Sequence, residues 1–319
     1  MKTQEILTVA ETPAGIHLLF ITFDDADTAS ALGHVYRVSF DNHDTAEPLQ
    51  LLATNDTLRA MWASPAGHLW VASADGFVGT TAPVNWPAAP GVDYQALNGS
   101  DPWHATALPR RPHDGLPPNV TALWGTGDDD VFAAAYGGHI YRWDGAAWSL
   151  VHDAGPSGRT SVSAFGGTGP RDVYAAGQAR TLLHWDGQAF SPVQVPGTPA
   201  NETLSGVVAL PDGSVLVAGS GNAGRILHGT AAGGFTELCT TPHALVGMVG
   251  VAGRVFLALP HGAAELVGHQ VQVLRDTFQT ASVSGGRRRV FFIEPAQESP
   301  RYIQHDLDAD DRPWWRFAF

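Results

Sequence analysis

The chain has 319 residues and is acidic, with 31 Asp and Glu residues against 18 Lys and Arg residues and a formal net charge of −13. This balance argues against nucleic-acid partners, which bind mainly through concentrated basic surface. A single cysteine, Cys239, excludes an internal disulfide, and the sequence shows neither a secretion signal nor an apolar run long enough for a membrane span. We therefore expect a cytoplasmic monomer that makes no contact with membranes.

A repeat displaced by 42 residues predicts the fold. Residues 122–151 recur without a gap as residues 164–193, so that Trp143-Asp144-Gly145 returns as Trp185-Asp186-Gly187. A period near 40 residues, built from short apolar runs and Gly-containing turns, is typical of a β-propeller with one four-stranded blade per repeat. No apolar pattern of helical period accompanies it. The sequence therefore predicts an all-β protein that forms a single β-propeller domain.

The repeat extends along the chain as seven predicted blades. Each blade has an inner strand, an apolar second strand, a third strand and an outer strand, and Asp-Gly pairs supply the positive φ of tight hairpin turns. The predicted blades cover approximately residues 1–54, 55–110, 118–153, 160–195, 203–240, 244–276 and 279–319. A ring of six blades remains the alternative if residues 1–56 fold in another way.

The two ends of the chain are expected to close the ring. The first blade begins with an inner strand at Glu5, and the last blade ends with an outer strand, so no strand is exchanged between the termini. Closure then depends on apolar packing of the first blade against the last. The aromatic residues expected to contribute are Trp314, Trp315, Phe317 and Phe319.

The second unit is lengthened by a Pro- and Gly-rich, irregular insertion at residues 82–101, and an outer strand is predicted after it at residues 103–108. Loops on a rigid scaffold often carry function, so this insertion and the next loop, residues 109–118, are candidate contact regions. The predicted binding residues are His104, Arg110, Arg111, His113 and Tyr136, together with Asp24, Asp25 and Asp27 of an acidic connection. That acidic connection would recognise a basic partner.

The residues that recur in the repeat are predicted to be structural. Asp130 and Asp172 are expected to accept hydrogen bonds from turn amides, and the repeated tryptophans are expected to fill the space between blades. Four histidines, among them His139, fall within third strands of separate blades. We expect these histidines to be buried and hydrogen-bonded and not to share a metal.

The repeat resembles one that is common in bacterial β-propeller proteins. Gly125-Thr126-Gly127, residues 130–134 and Trp143-Asp144-Gly145-x-x-Trp148 are similar to its pattern W-G-x-x-x-x-D-V-[YF]-A-[AV]-G followed by W-D-G-x-x-W. The match is specific in two units and fades in the others. The resemblance implies the propeller fold for most of the chain and implies no single activity.

No short catalytic motif accompanies the repeat. The sequence has no G-x-x-x-x-G-K-[ST], no H-E-x-x-H and no G-x-S-x-G, the usual signatures of nucleotide, zinc-protease and esterase chemistry. The sequence therefore favours a non-catalytic scaffold that needs no cofactor and binds a protein through one rim. Its net charge favours a basic partner, such as a toxin that the chain neutralises.

Two alternatives remain open. Some propeller hydrolases and lactonases hold Ca²⁺ at the mouth of the channel through oxygen ligands. The candidate ligands here, at or just before inner strands, are Glu5, Asn119, Asn201 and Glu202. The other alternative is a glycan-binding lectin that stacks sugars on its tryptophans, although no Arg, Glu or Gln companion recurs beside them.

Overall fold

Short apolar runs and tight turns give each repeat its own antiparallel sheet in a computed structural model of the chain. The structure describes residues 2–24, 27–40, 46–87, 89–156, 158, 161–197, 201–221, 223–295, 299–311 and 313–319. Seven sheets follow one another around a central channel, which confirms the all-β fold and the seven predicted blades and removes the six-bladed alternative. Within the described ranges, helical structure is limited to a 3₁₀ turn at Gln178–Arg180, and no helix has the length and apolarity to span a membrane.

The strands follow the predicted order of inner, second, third and outer strand in every blade. Blade 1 contains β1 (Lys2–Thr12), β2 (Gly15–Asp24), β3 (Asp27–Phe40) and β4 (Ala46–Thr54), and blade 2 contains β5 (Leu58–Ala63), β6 (Leu69–Ser73), β7 (Phe77–Thr80) and β9 (His104–Ala107), with β8 (Tyr94–Ala96) between the last two. Blade 3 contains β10 (Val120–Gly127), β11 (Asp130–Ala135), β12 (Ile140–Trp143) and β13 (Trp148–His152), and blade 4 contains β14 (Val162–Gly169), β15 (Asp172–Gly177), β16 (Leu182–Trp185) and β17 (Phe190–Pro192). Blade 5 contains β18 (Thr203–Ala209), β19 (Val215–Ser220), β20 (Gly224–Thr230) and β21 (Gly234–Thr241). Blade 6 contains β22 (Gly247–Val251), β23 (Arg254–Leu259), β24 (Gly262–Val267) and β25 (Gln270–Arg275), and blade 7 contains β26 (Ser282–Gly285), β27 (Arg289–Ile293), β28 (Arg301–Asp306) and β29 (Trp314–Ala318).

The inner strands all run in the same direction along the channel, so the connections between strands fall on two rims. The upper rim is the one where inner strands begin, and it also carries the connections between second and third strands. The lower rim is the one where inner strands end. Hydroxyl groups of inner strands bond to the backbone at or just before the next inner strand, since Thr121 Oγ1 donates to Val162 O at 2.9 Å and Ser205 Oγ donates to Leu245 O at 2.9 Å.

Both faces of a blade are covered by its neighbours, which explains why the second strands are apolar at nearly every position. In β11, Val131 and Ala133 pack against blade 2, whereas Phe132 and Ala134 pack against blade 4. The alternation of side chains along one strand thus serves two interfaces. The core is divided among the interfaces between successive blades.

Blades 7 and 1 meet without an exchanged strand, as expected from the sequence. Trp315, Phe317 and Phe319 join the apolar cluster between these two blades. Trp314 does not, because adjacent residues of a strand point to opposite faces. It packs instead on Phe292, in the cluster between blades 6 and 7. The expectation that Trp314 closes the ring is therefore wrong.

An ion pair supplements the aromatic packing between blades 7 and 1. Arg289 Nη1 donates to Glu11 Oε1 at 2.6 Å, and the backbone N–H of Arg287 donates to Glu11 Oε2 at 2.8 Å. Gly286 makes room for this contact, because a Cβ there would overlap the Glu11 carboxylate. One carboxylate of β1 is thus bonded twice to blade 7 at the lower rim.

The insertion in the second unit is not irregular throughout. Strand β8 pairs with β4 and becomes a fifth strand of blade 1, which corrects the sequence prediction for these residues. The ring of Tyr94 lies against Gly79, where any Cβ would overlap it. The Tyr94 hydroxyl donates to Asp56 Oδ2 at 3.3 Å. A segment that follows β7 of blade 2 therefore covers the edge of blade 1.

Candidate functional site

A loop on the upper rim, residues 109–118, leads from the outer strand of blade 2 to the inner strand of blade 3. Its backbone bonds to itself, since Arg111 N donates to Leu116 O and Gly115 N donates to Arg111 O, both at 3.0 Å. The side chain of Arg110 donates to Gly115 O at 2.8 Å. These internal hydrogen bonds hold the loop in one conformation and fix the positions from which its side chains project.

Two large apolar side chains are exposed to solvent on this rim. Leu116 is 52% exposed and Tyr136 is 53% exposed. Tyr136 lies in the turn between β11 and β12, and its backbone N–H donates to Asn119 O at 2.7 Å, directly after the loop. Exposed aromatic side chains beside arginines are typical of protein interfaces. The upper rim between blades 2 and 3 therefore has the composition of a contact surface.

Ion pairs flank the two apolar side chains. Arg111 Nη2 lies 2.6 Å from Asp114 Oδ2, and His113 Nε2 lies 2.9 Å from Asp153 Oδ2. A hydrogen bond from Gly155 N lowers the pKa of the Asp153 carboxyl, burial opposes this shift, and His113 lowers the pKa further. Asp153 is therefore ionised near neutral pH and holds the His113 ring in place.

Two buried polar side chains lie beneath the charged rim, one just before β12 and one within it. His139 is 5% exposed, and burial lowers the pKa of its imidazole. Tyr141 is fully buried, and burial raises the pKa of its hydroxyl to about 12. Both groups are therefore neutral near pH 7.

The structure brings together four of the residues predicted to bind. These are Arg110, Arg111, His113 and Tyr136, which all lie on the upper rim at blades 2 and 3. His104 does not join them, because it begins β9 opposite Thr80 and so lies at the lower end of blade 2. Asp25 and the side chains of Asp24 and Asp27 lie outside the described residues.

Sequence reasoning missed two parts of this rim. Leu116 had a signal, because it is the single large apolar residue in the loop 109–118 and nothing in the repeat pattern requires it. The sequence signal for Tyr141 was weaker, since a tyrosine in an apolar third strand is expected to be an ordinary core residue. Only the structure shows that Arg111 and Asp114 of the loop lie close enough to influence its hydroxyl electrostatically.

Glu202, one of the proposed calcium ligands, is buried and bonded to arginine. It is 2% exposed, and Arg225 donates to its two oxygens from Nε and Nη2, each at 2.5 Å. Asn119 and Asn201 are exposed, and burial raises the pKa of Glu5 although Arg59 opposes this. Across the described ranges, no group of three or more His, Cys, Asp or Glu side chains is placed to hold a metal ion. Glu202 thus serves as the acceptor of a buried ion pair.

The lower half of the central channel forms a cavity of about 650 Å³. Its wall consists of the ends of inner strands, with aromatic surface from Trp62, Trp124 and Phe165. Glu11 lies in this wall and is already paired with Arg289. The described part of the wall contains none of the proposed calcium ligands, which stand near the starts of inner strands.

The repeated aspartates of the lower rim bind side chains and not turn amides, which corrects the sequence prediction. Asp130 accepts hydrogen bonds from Thr126 Oγ1 at 2.6 Å and from Arg142 Nε at 2.7 Å. In blade 4, Asp172 pairs with His184 Nε2 at 2.7 Å. The turn amides are bonded instead by the aspartates of the two Trp-Asp-Gly turns. These repeated residues join the strands and turns of their own blade.

Comparison with known proteins places the chain among propellers by structure alone. No protein-family profile and no curated protein sequence matches it. The structure of virginiamycin B lyase from Staphylococcus aureus is 12% identical and aligns over 92% of this chain and 95% of that chain with a TM-score of 0.62. Sqt1 from Chaetomium thermophilum is 13% identical over 96% of this chain and 82% of that chain, with a TM-score of 0.62. YCF48 bound to a D1 peptide is 14% identical over 93% of this chain and 90% of that chain, with a TM-score of 0.57, and identities this low show a shared fold only.

Proposed function

We propose that this chain is a non-catalytic protein-binding propeller whose contact surface is the upper rim around residues 109–118. The observation that carries the proposal is the exposure of Leu116 and Tyr136 on a rim fixed by its own hydrogen bonds and ion pairs. A fixed loop loses little conformational entropy on binding, and exposed apolar side chains gain free energy when a partner covers them. A ring of the same fold was solved with a bound peptide, which supports a binding role for the scaffold.

The partner that suits the charge of the chain is a basic protein. A net charge of −13 attracts a basic surface and speeds encounter at low ionic strength. Salt screens such attraction, so the rate of association should fall as ionic strength rises. A basic toxin that the chain neutralises in the cytoplasm would be a partner of this kind.

Capture from native lysate tests the proposal. The immobilised chain is expected to retain one protein in stoichiometric amount at low salt and less of it at high salt. The double variant Leu116→Ser/Tyr136→Ser removes both exposed apolar side chains. Its affinity for the retained protein should fall at least about tenfold, which corresponds to about 1.4 kcal/mol of binding free energy.

A matched double variant on blade 6 serves as the control. Val267→Ser/Val273→Ser replaces two apolar side chains that are 45% and 44% exposed, far from the upper rim of blades 2 and 3. It should retain the partner with unchanged affinity. The proposal fails if both double variants lose the partner equally, if neither does, or if nothing is retained at low salt.

A further inference from the structure

The cavity in the lower half of the central channel is large enough for a small molecule and is reached from the lower rim. Its volume of about 650 Å³ lies within the range of about 300–1,000 Å³ that is typical of ligand sites. Pro13, Pro65 and Arg287 belong to connections on the lower rim, line the cavity and are exposed to solvent. The cavity is therefore open to a ligand from this side of the ring.

One position of the inner strand lines this cavity in six of the blades. It is the residue that pairs across the sheet with the large buried side chain of the second strand, as Trp124 pairs with Phe132. From blade 2 to blade 7, the residues at this position are Trp62, Trp124, Gly166, Val208, Val249 and Ser284. Four blades close the ring with a smaller residue here, so the fold itself does not require the two tryptophans.

The two tryptophans are only partly covered by the neighbouring blades. The indole of Trp62 lies over Gly125 of blade 3, where a Cβ would come within 2.9 Å of it, and Trp124 packs at the interface between blades 3 and 4. Both side chains are half-buried and both belong to the cavity wall, as does Phe165 of blade 4. Three adjacent blades thus present aromatic surface to the cavity, which favours contact with another aromatic ring.

The opposite side of the cavity carries an arginine that is free to pair with a ligand. In a ring of seven, blade 7 stands across the channel from blades 3 and 4, and Arg287 follows the inner strand of blade 7. Its neighbours Arg288 and Arg289 are paired with carboxylates. The guanidinium of Arg287 makes no ion pair within the described part of the chain, and Arg287 lines the cavity.

The charges around the cavity favour an anion beside Arg287. Glu11 is the other charged residue in the described wall, and its carboxylate already accepts hydrogen bonds from Arg289 Nη1 and from the backbone N–H of Arg287. The net charge of −13 repels anions at long range, but salt screens charges beyond about 8 Å at physiological ionic strength. The Arg287 guanidinium is therefore the unneutralised charge at the mouth of the cavity.

We propose that the lower half of the channel binds a small aromatic carboxylate. The ring of the ligand packs against Trp62, Trp124 and Phe165, and its carboxylate pairs with Arg287. A single guanidinium balances a single negative charge, which favours a carboxylate over a phosphate ester. This site lies at the opposite end of the channel from the protein-binding rim and gives the ring a second function.

Three ligands of similar size test the site. They are 2-naphthoate, its neutral amide 2-naphthamide, and the saturated acid decahydro-2-naphthoate, which has no aromatic face. Isothermal titration calorimetry of the full chain at about 0.15 M salt measures the affinity of each. One 2-naphthoate is expected to bind per chain, at least about fivefold more tightly than either control, because the amide has no charge for Arg287 and the saturated acid cannot stack on the indoles.

Two neighbouring arginines provide matched variants. Arg287→Gln and Arg288→Gln each remove one positive charge from an exposed residue of the same turn, but only Arg287 lines the cavity. Arg287→Gln should weaken the binding of 2-naphthoate at least about fivefold and abolish its preference over the amide. Arg288→Gln should change neither quantity.

A tryptophan variant tests the aromatic wall. Trp124→Val gives blade 3 the residue type that Val208 provides at the same position of blade 5, and it should weaken the binding of 2-naphthoate at least about fivefold. Trp314→Val, which changes a half-buried tryptophan between blades 6 and 7, should leave the affinity unchanged. Thermal melting shows whether each variant is folded. If Trp124→Val does not fold, Arg287→Gln decides alone, because Arg287 is exposed.

The outcomes that overturn the proposal are specific. It fails if 2-naphthoate shows no saturable binding, binds no more tightly than either control ligand, or is weakened equally by Arg287→Gln and Arg288→Gln. Capture of a protein through the upper rim should be unaffected by Arg287→Gln, and binding of 2-naphthoate should be unaffected by Leu116→Ser/Tyr136→Ser. Failure of one proposal therefore leaves the other intact.

Discussion

The two rims of blade 3 differ in whether their buried polar groups are hydrogen-bonded. On the lower rim, Asp130 is 5% exposed and both of its oxygens are bonded, by Thr126 and Arg142. On the upper rim, His139 and Tyr141 are just as buried, yet each has an atom without a partner in the part of the chain that the structure describes. The lower arrangement is repeated in blade 4 and the upper one is not. The repeated polar residues on the lower rim are therefore fully hydrogen-bonded within their blade, whereas the polar residues peculiar to the upper rim of blade 3 are not.

Removing the hydrogen bonds of Asp130 on the lower rim should have the largest effect on stability. Asp130→Ala removes the acceptor of two hydrogen bonds and leaves Arg142 without its carboxylate, so the free energy of unfolding should fall by about 2–4 kcal/mol. Denaturant-induced unfolding measures this. Asp129→Ala, an exposed neighbour, should change stability by less than about 0.5 kcal/mol. A similar loss in both variants would contradict the structural role of Asp130.

A buried carboxyl on the upper rim should respond to pH. Burial raises the pKa of Asp56 to about 6, Asp75 raises it too, and a hydrogen bond from Ser73 opposes the shift. Because this pKa exceeds the ordinary value of 3.8, the protonated carboxyl stabilises the fold below about pH 4, and that contribution is lost as pH rises through about 6. Asp56→Asn should therefore raise the free energy of unfolding by about 1–3 kcal/mol at pH 8 and leave it nearly unchanged at pH 4.

The control for Asp56→Asn is Asp310→Asn, which changes an exposed carboxylate on the lower rim. Its stability should follow that of the wild type at both pH values. Unfolding curves at pH 4 and pH 8 give the comparison. An equal gain at the two pH values, or a gain in both variants, would show that the Asp56 carboxyl is not the titrating group.

Two buried tyrosines allow a bonded hydroxyl to be compared with an unpaired one by the same replacement, tyrosine to phenylalanine. The Tyr174 hydroxyl is bonded to Ala231 N, so Tyr174→Phe should cost about 1 kcal/mol. The Tyr141 hydroxyl has no partner among the described residues, so Tyr141→Phe should be neutral or stabilising by up to about 1 kcal/mol. Equilibrium unfolding of both variants under identical conditions provides the test. Equal losses would mean that the Tyr141 hydroxyl is bonded within the folded protein.

The exposed rim itself should tolerate change best. Leu116→Ser/Tyr136→Ser is expected to alter the free energy of unfolding by less than about 0.5 kcal/mol, because both side chains are more than half exposed. Thermal and denaturant unfolding check this. A loss above about 1 kcal/mol would assign the two side chains to folding and weaken the case for a contact surface.

The blade count and strand order could be predicted because each blade is a local unit. A hairpin depends on neighbouring residues and on its turn, and the Asp-Gly turns behave as expected, with φ of +87° at Gly145 and +97° at Gly187. Strand alternation could also have shown that Trp314 and Trp315 face opposite sides. The length of β9 could have shown that His104 and Arg110 lie at opposite ends of blade 2.

Contacts between distant segments could not be predicted in the same way. Strand β8 is only three residues long, too short for its alternation to stand out, so its pairing with β4 leaves no periodic signal. The partners of Asp130 depend on which side chains of β10 and β12 reach it across the sheet. The electrostatic surroundings of the Tyr141 hydroxyl include Arg111 and Asp114 of a loop that precedes its own blade. Each of these features is set by tertiary packing, on which a local pattern carries no information.

Strand β8 couples the local unfolding of two blades, since it follows β7 of blade 2 in the chain and bonds to blade 1. Proteins commonly open in cooperative units that are smaller than the whole domain. Blade 1 cannot separate from blade 2 without breaking the pairing of β4 with β8 and withdrawing Tyr94 from its place beside Gly79. The two blades are therefore expected to open as one unit in native-state hydrogen exchange. The amides shared by β4 and β8 should exchange at the slow rate of that unit and not at the fast rate of a bare edge strand.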